Sequence, residues 1–70
     1  MTAAQKIRMV LAVRHISESE LARRMGTTPS AFNQRMKTDK FSSSDLEKIA
    51  TALDCTYRVE FIMNDTGETI

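Results

Sequence analysis

The chain has little of what usually holds a short protein together. Its 70 residues include one cysteine, one proline, two glycines, one histidine and no tryptophan. A single cysteine, Cys55, excludes an internal disulfide and is typical of the reducing cytoplasm. No group of His, Cys or acidic residues has metal-ligand spacing, so we expect neither a metal nor a cofactor. We therefore expect one small domain with a core of Leu, Ile, Val and Met, with self-association as a second source of stability.

Signatures of membrane insertion and of catalysis are also missing. No apolar run approaches the roughly 20 residues that span a bilayer, and the N-terminus does not read as a signal peptide. There is one histidine, no nucleophile–base pair, no phosphate-cradling glycine loop, and too little chain to enclose a pocket. We expect a protein that is not an enzyme.

The formal net charge is only +1, but the charge is unevenly distributed. Residues 23–40 carry five basic side chains and one acidic side chain, whereas residues 41–70 carry two basic and six acidic ones. Such asymmetry is typical of a small nucleic-acid binder. The alternative interpretation is a charged face that only contacts solvent.

The spacing of apolar residues predicts a first helix over residues 3–14, with Thr2 as its N-cap. Arg14 is predicted to continue the apolar face of this helix into solvent. The connection follows at His15 and Ile16. Histidine tolerates positive φ better than most residues, so His15 is interpreted as a turn residue rather than an acid, a base or a ligand.

Residues 17–36 have the pattern of a helix, a tight turn and a second helix. Ser17 is the predicted N-cap of the first of these, Glu20 completes a capping-box pattern, and the helix runs to about Met25. Gly26 then supplies a turn position where φ can be positive without steric cost.

The helix after this turn is predicted to begin at Pro29, with Thr28 as its N-cap, and to end near Lys37. The small side chain of Ala22 allows the two helices to cross closely, and apolar side chains lock them together, namely Leu21, Met25 and Phe32. This helix-turn-helix pattern predicts that the second helix lies in the DNA major groove and reads its sequence.

A fourth helix is predicted after a run of serines, with Ser43 or Ser44 as its N-cap. Its apolar face consists of Leu46, Ile49, Ala50 and Leu53. The period then changes to two, which predicts a β-strand over residues 57–63, followed by a turn at 64–67. Residues 68–70 are predicted to form either a short returning strand or a frayed tail.

Residues 5–54 resemble the phage-repressor family of helix-turn-helix proteins, also called the Cro-like, lambda-repressor-like or Xre family. The similarity rests on residues 20–28, on Phe32 and on residues 46–53. The resemblance implies a mainly α, four-helix, lambda-repressor-like domain. The family's usual activity is transcriptional control at operator DNA, so we expect a cytoplasmic transcription regulator, and specifically a repressor.

The sequence departs from the family pattern in four places. Glu18 occupies a position where the family usually has a glutamine that supports phosphate contact, and His15 stands where glycine is common. Arg35 replaces an apolar residue and is predicted to lie in the groove, against phosphate or against the core. Leu11 and Met36 stand where many members pair an arginine with a glutamate, and we expect these two side chains to touch.

The exposed side of the third helix is predicted to contact DNA bases through Ser30, Asn33 and Gln34, whose hydroxyl and amide groups can pair with base edges. Contacts to the DNA backbone are predicted for Ser17, Thr28, Arg24, Lys37, Lys40 and Ser42. The alternative is that these are ordinary exposed polar residues, and that Ser42 only caps the fourth helix.

Residues 1–54 are thus predicted to form the DNA-binding domain and residues 55–70 a C-terminal β-strand or short β-hairpin for dimerisation. An isolated strand is not stable in water, so we expect it to pair antiparallel with its mate in a homodimer on a palindromic operator. The predicted interface comprises Tyr57, Arg58, Val59, Glu60, Phe61 and Ile62. Two alternatives remain open, a monomer with an intramolecular hairpin and a protein-interaction module such as an antitoxin or accessory factor.

Overall fold

The computed structural model describes residues Met1–Ile70 and contains four helices. They are α1 (Ala3–Arg14), α2 (Glu18–Arg24), α3 (Pro29–Thr38) and α4 (Ser43–Ala52). The four predicted helices are therefore confirmed, including both ends of the first. None of them combines the length and the apolar character that a bilayer span requires.

The first three helices begin at the predicted N-caps. The side-chain oxygens of Thr2, Ser17 and Thr28 each accept a hydrogen bond from the backbone N–H three residues further on, at 3.0–3.1 Å. Each bond satisfies one of the N–H groups that a helix start leaves without a partner. Local sequence signals are sufficient at these positions because donor and acceptor are only three residues apart.

The cap of α4 is Ser42, so the prediction of Ser43 or Ser44 is wrong. The Ser42 hydroxyl accepts from the Asp45 N–H at 3.1 Å, and the Asp45 carboxylate accepts from the Ser42 N–H at 2.9 Å. This reciprocal pair is a capping box. The helix therefore starts one residue before the nearer predicted cap, Ser43, which has the apolar Leu46 three positions further on and could not form such a box.

The turns between helices use left-handed backbone conformations at a few positions. His15 has φ 55° at the end of α1, which confirms it as a turn residue, and Gly26 has φ 73° after α2. Asp39 has φ 54° at the end of α3, and its carboxylate accepts a hydrogen bond from the Ala4 N–H at 2.8 Å. The loop after α3 is thereby tied to the first turn of α1.

Nine buried residues form one core: Ala4, Ile7, Leu11, Leu21, Ala22, Phe32, Met36, Ile49 and Leu53. Ala22 is fully buried, as expected where α2 and α3 cross. Leu11 and Met36 belong to this same core, and their direct contact stays a prediction. Burying a large apolar side chain such as Phe32 stabilises the fold by roughly 1.5–3 kcal/mol.

Arg14 is exposed, as predicted, but its guanidinium also contacts the end of α4. Its Nε donates to the Leu53 carbonyl at 3.0 Å and its Nη2 donates to the Asp54 carbonyl at 2.8 Å. The last carbonyl groups of a helix lack intrahelical partners and attract cations. Arg14 therefore joins α1 to α4.

The predicted C-terminal strand over residues 57–63 is not formed. Ile62 and Thr69 make one isolated antiparallel bridge, flanked by two hydrogen bonds of 2.7–2.8 Å between the backbones of Phe61 and Ile70. Residues 57–63 have the alternating pattern of a strand, but only residues 68–70 follow the turn, which is too few to pair with the whole segment. A strand without a pairing partner is unstable in water. We call residues 58–70 the C-terminal arm, since all of them are exposed.

Candidate nucleic-acid interface

The turn between α2 and α3 fixes the angle at which α3 leaves the core. The Thr27 N–H donates to the Ala22 carbonyl at 3.0 Å and the Gly26 N–H donates to the Arg23 carbonyl at 3.1 Å. These two bonds are those of a Schellman motif, whose left-handed position is best occupied by glycine. The Thr28 cap then starts α3 at once, so the two helices form a compact helix-turn-helix unit.

One side of α3 is buried and the other is exposed. Phe32 and Met36 are 1% and 2% exposed, whereas Ser30, Asn33 and Gln34 are exposed on the other side. The hydrogen bonds that engage α3 use the Thr28 cap and backbone carbonyls, and none uses the side chains of these three residues. Their hydroxyl and amide groups are therefore available to a ligand, as a base-reading surface requires.

Arg35 packs against the loop between α3 and α4. Its guanidinium lies 5.3 Å from the centre of the Phe41 ring, and its Nη2 is 2.5 Å from the Asp45 carboxylate. The hydrogen bond from the Ser42 backbone, followed by that from Arg35, lowers the pKa of Asp45 to about 2. Of the three predicted positions for Arg35, the structure supports packing.

Glu20 binds two arginines of its own helix rather than completing a capping box with Ser17, so that part of the prediction is wrong. Its carboxylate accepts from Arg23 at 2.5 and 2.9 Å and from Arg24 at 3.1 Å. These hydrogen bonds, that of Arg23 foremost, lower the pKa of Glu20 to about 2. Charge-assisted, bidentate bonds to arginine outcompete a single bond to a backbone N–H.

Arg24 also donates to the Ala52 carbonyl at 3.0 Å, which caps the end of α4. Its predicted contact with the DNA backbone stays a prediction, although its guanidinium already has two partners within the chain. Sequence reasoning missed this role and that of Arg14, because the acceptors lie 28 and 39–40 residues away. The only local sign was the presence of basic residues near the ends of α1 and α2. A basic residue at such a position can equally well face solvent or contact phosphate.

The positive charge available for DNA is smaller than the sequence indicates. Three of the five basic residues between positions 23 and 40 are in ion pairs within the chain. The other two, Lys37 and Lys40, are exposed and are in none of the ion pairs. These two lysines therefore carry the basic character of the predicted interface.

The serine and threonine caps remain compatible with phosphate contact. The hydroxyls of Ser17, Thr28 and Ser42 accept bonds from backbone N–H groups, while the hydroxyl proton of each is free to donate. Capping α4 and contacting DNA are thus not mutually exclusive roles for Ser42. Glu18, in the first turn of α2, lies 3.5 Å from Arg8 of α1, which offsets its negative charge.

Comparison with known proteins agrees with this geometry. Residues 6–58 match the family profile described as a Cro/C1-type HTH DNA-binding domain. No curated protein and no solved structure matches the chain. The match spans α2, α3, α4 and most of α1, and it stops at the base of the C-terminal arm. The chain therefore belongs to the family of Cro/C1-type helix-turn-helix DNA-binding domains.

Proposed function

We propose that this DNA-binding domain acts as a transcriptional repressor that recognises a specific double-stranded operator. In this proposal α3 lies in the major groove, and Ser30, Asn33 and Gln34 contact base edges. The observation that supports it is the exposed face of α3, where these three side chains lack partners within the chain while the opposite face is anchored in the core. Asparagine and glutamine amides are suited to bidentate pairing with adenine.

Contacts to phosphate would hold α3 in register. The donors that we assign are the hydroxyls of Ser17, Thr28 and Ser42 and the ammonium groups of Lys37 and Lys40. Contacts to phosphate position a protein on the duplex without reading its sequence. Arg24 is the weakest member of the predicted set, since it bonds to Glu20 and to the end of α4.

The proposal includes a homodimer on a palindromic site in the cytoplasm, where the thiol of Cys55 stays reduced. Two copies related by a two-fold axis would present two α3 helices to half-sites about one helical turn apart. It assigns the protein no catalytic step and no cofactor.

The test is selection from a pool of random duplexes at two salt concentrations, with sequencing of the bound DNA. We expect a palindromic sequence to be enriched and the affinity to fall as salt rises. Salt-sensitive binding without any enriched sequence would contradict base reading by α3. Absence of binding at both salt concentrations would contradict the operator function altogether.

The second candidate function is a protein-interaction module, such as an antitoxin or accessory factor, and the C-terminal arm favours it. Val59, Phe61 and Ile62 are 62–72% exposed on this arm, which is a large apolar surface for so small a protein. In this case a heterologous protein would co-purify with the native chain, and Phe61→Asp would abolish that binding without affecting DNA binding.

A further inference from the structure

Two apolar surfaces of this chain lack a partner. One is the C-terminal arm, where Val59, Phe61 and Ile62 are largely exposed. The other is a groove of about 220 Å³ between α1 and α4, whose lining includes Val10 and Ala50. Exposure of apolar side chains to water is unfavourable on both surfaces. Burial of each surface against another apolar group would therefore be favourable.

One strongly exposed apolar side chain of α1 lies beside the groove. Val13 is 74% exposed and lies one turn after the groove residue Val10, on the same side of the helix, whereas Met9 is 56% exposed and points about 100° away from Val10. Apart from Met1, these two are the only large apolar side chains outside the arm that are strongly exposed. Apart from Met1, the strongly exposed apolar side chains of the molecule are thus divided between the arm and α1, and Val13 is the one beside the groove.

The arm of the same chain does not cover the groove. Tyr57 lines the groove, and from residue 58 onward every residue is exposed, so the chain leaves the groove at this point. The molecule measures 45 × 23 × 19 Å, which is elongated for a four-helix domain with an exposed arm. Each copy therefore presents both an apolar segment and an apolar groove to its surroundings.

We infer that the C-terminal arm of a second copy occupies this groove, and that the exchange is reciprocal. Two complementary surfaces on one chain pair around a two-fold axis and leave neither exposed, so the assembly closes as a dimer. The inference rests on the proposed homodimer, but it replaces pairing between two arms by the docking of each arm on the partner's α1 and α4.

Charge complementarity supports the same occupant. Lys6 lies at the α1 rim of the groove and is in none of the ion pairs of the structure. The arm carries Asp65 and Glu68, which are likewise in no ion pair, whereas its Arg58 pairs with Glu60. A docked arm therefore brings unpaired carboxylates toward an unpaired ammonium group.

The test uses single cysteines in the full chain, with Cys55→Ser as the background. One chain carries Val10→Cys in the groove and another carries Phe61→Cys on the arm. We expect mild oxidation of the mixture to give a disulfide-linked dimer that contains one chain of each kind, and neither chain alone to give as much. Met1→Cys with Phe61→Cys is the matched control for random collision, because Met1 is exposed but does not line the groove.

Three results would overturn the inference. Linkage of the Phe61→Cys chain only to itself would mean that the arms pair with each other. A chain carrying both Val10→Cys and Phe61→Cys that forms a disulfide within one monomer would mean that the arm folds onto its own groove. Equal yields from the Val10→Cys and Met1→Cys mixtures would mean that no specific docking occurs.

A second measurement separates this inference from the proposed DNA function. Phe61→Asp should convert the dimer to a monomer in sedimentation velocity, with the helical circular dichroism unchanged because Phe61 is 72% exposed. Gln34→Ala should leave the dimer intact. If Gln34→Ala and native chains bind DNA equally, the DNA proposal fails while arm exchange stands; if Phe61→Asp stays dimeric, arm exchange fails while the DNA proposal stands.

Discussion

The exposed face of α3 and the C-terminal arm are both open to solvent, but they are built in opposite ways. The α3 face is polar and rigid, because Phe32 and Met36 anchor its other side in the core. The arm exposes large apolar side chains, among them Val59, Phe61 and Ile62, and its main internal support is one bridge at Ile62 with the hydrogen bonds around it. Exposure of polar groups on a rigid support suits base reading, whereas exposure of apolar groups on a weakly supported segment suits docking on another chain.

The largest expected effect is a difference in unfolding free energy between a substitution on the buried side of α3 and one on the arm. Phe32→Ala should lower the free energy of unfolding by about 3–5 kcal/mol, since it leaves a cavity at the centre of the core. Phe61→Ala on the arm should change it by about 0.5 kcal/mol or less at protein concentrations where the chain is monomeric. Urea denaturation followed by circular dichroism measures both values. Similar losses for the two variants would contradict the distinction between core and arm.

The cap of α3 should have a smaller effect. Thr28→Ala removes the acceptor for the Ala31 N–H and should cost about 1 kcal/mol of unfolding free energy. Ser30→Ala, on the exposed face of the same helix, is the matched control and should be close to neutral for stability. Thermal unfolding of both variants checks the difference. A destabilised Ser30→Ala variant would show that this side chain supports the fold rather than serving as a free contact group.

Lysine substitutions should sharpen the assignment of phosphate contacts. Lys40→Ala should reduce the slope of log affinity against log salt by about 0.9, the value for one phosphate contact in duplex DNA. Lys48→Ala on α4 is the control, since Lys48 is exposed, lies in no ion pair and is outside the predicted interface. Fluorescence anisotropy with a labelled duplex gives both slopes. Equal slopes for Lys40→Ala and the native chain would remove Lys40 from the interface.

Acid should weaken the helical part of the molecule slightly. The folded pKa values of Glu20 and Asp45 are lowered to about 2 from ordinary values of 4.5 and 3.8. Their ion pairs therefore contribute stability above those ordinary values, and the contribution is lost as the pH falls from about 4.5 toward 2. Both groups are partly exposed to solvent, so the loss should be small and should shrink further in high salt. Glu20→Gln should reduce the pH dependence of unfolding in this range; an unchanged profile would contradict the role of Glu20.

Local signals predicted much of this fold, and contacts distant in sequence account for the missed roles of Arg14 and Arg24. The caps Thr2, Ser17 and Thr28 were predictable because each bonds to a group three residues away. The alternation in residues 57–63 predicts a strand, but whether a strand forms depends on a partner that the alternation does not specify. Helical spacing predicted that Ser30, Asn33 and Gln34 lie on the exposed side of α3, which the structure confirms, and their contact with bases stays a prediction.

The fate of the arginines could not be predicted in this way. Arg14 and Arg24 donate to the end of α4, and Arg35 packs on Phe41, although composition alone groups them with the lysines as possible DNA contacts. An arginine side chain is long and has five donors, so its partner depends on which carbonyl or carboxylate the fold brings within reach. Within residues 23–40, folding places Arg23, Arg24 and Arg35 in ion pairs and leaves Lys37 and Lys40 outside them.

The central claim is that the exposed face of α3 reads DNA sequence, and parallel selections with native chain and Gln34→Ala test it most directly. Both proteins are incubated with the same random duplex pool, and the bound sequences are compared position by position. The account predicts that Gln34→Ala loses preference at one base pair in each half-site, a discrimination of about 1–3 kcal/mol, while the other positions are retained. Identical enriched sequences and equal affinities for the two proteins would contradict base reading by Gln34 and the orientation of α3 proposed here.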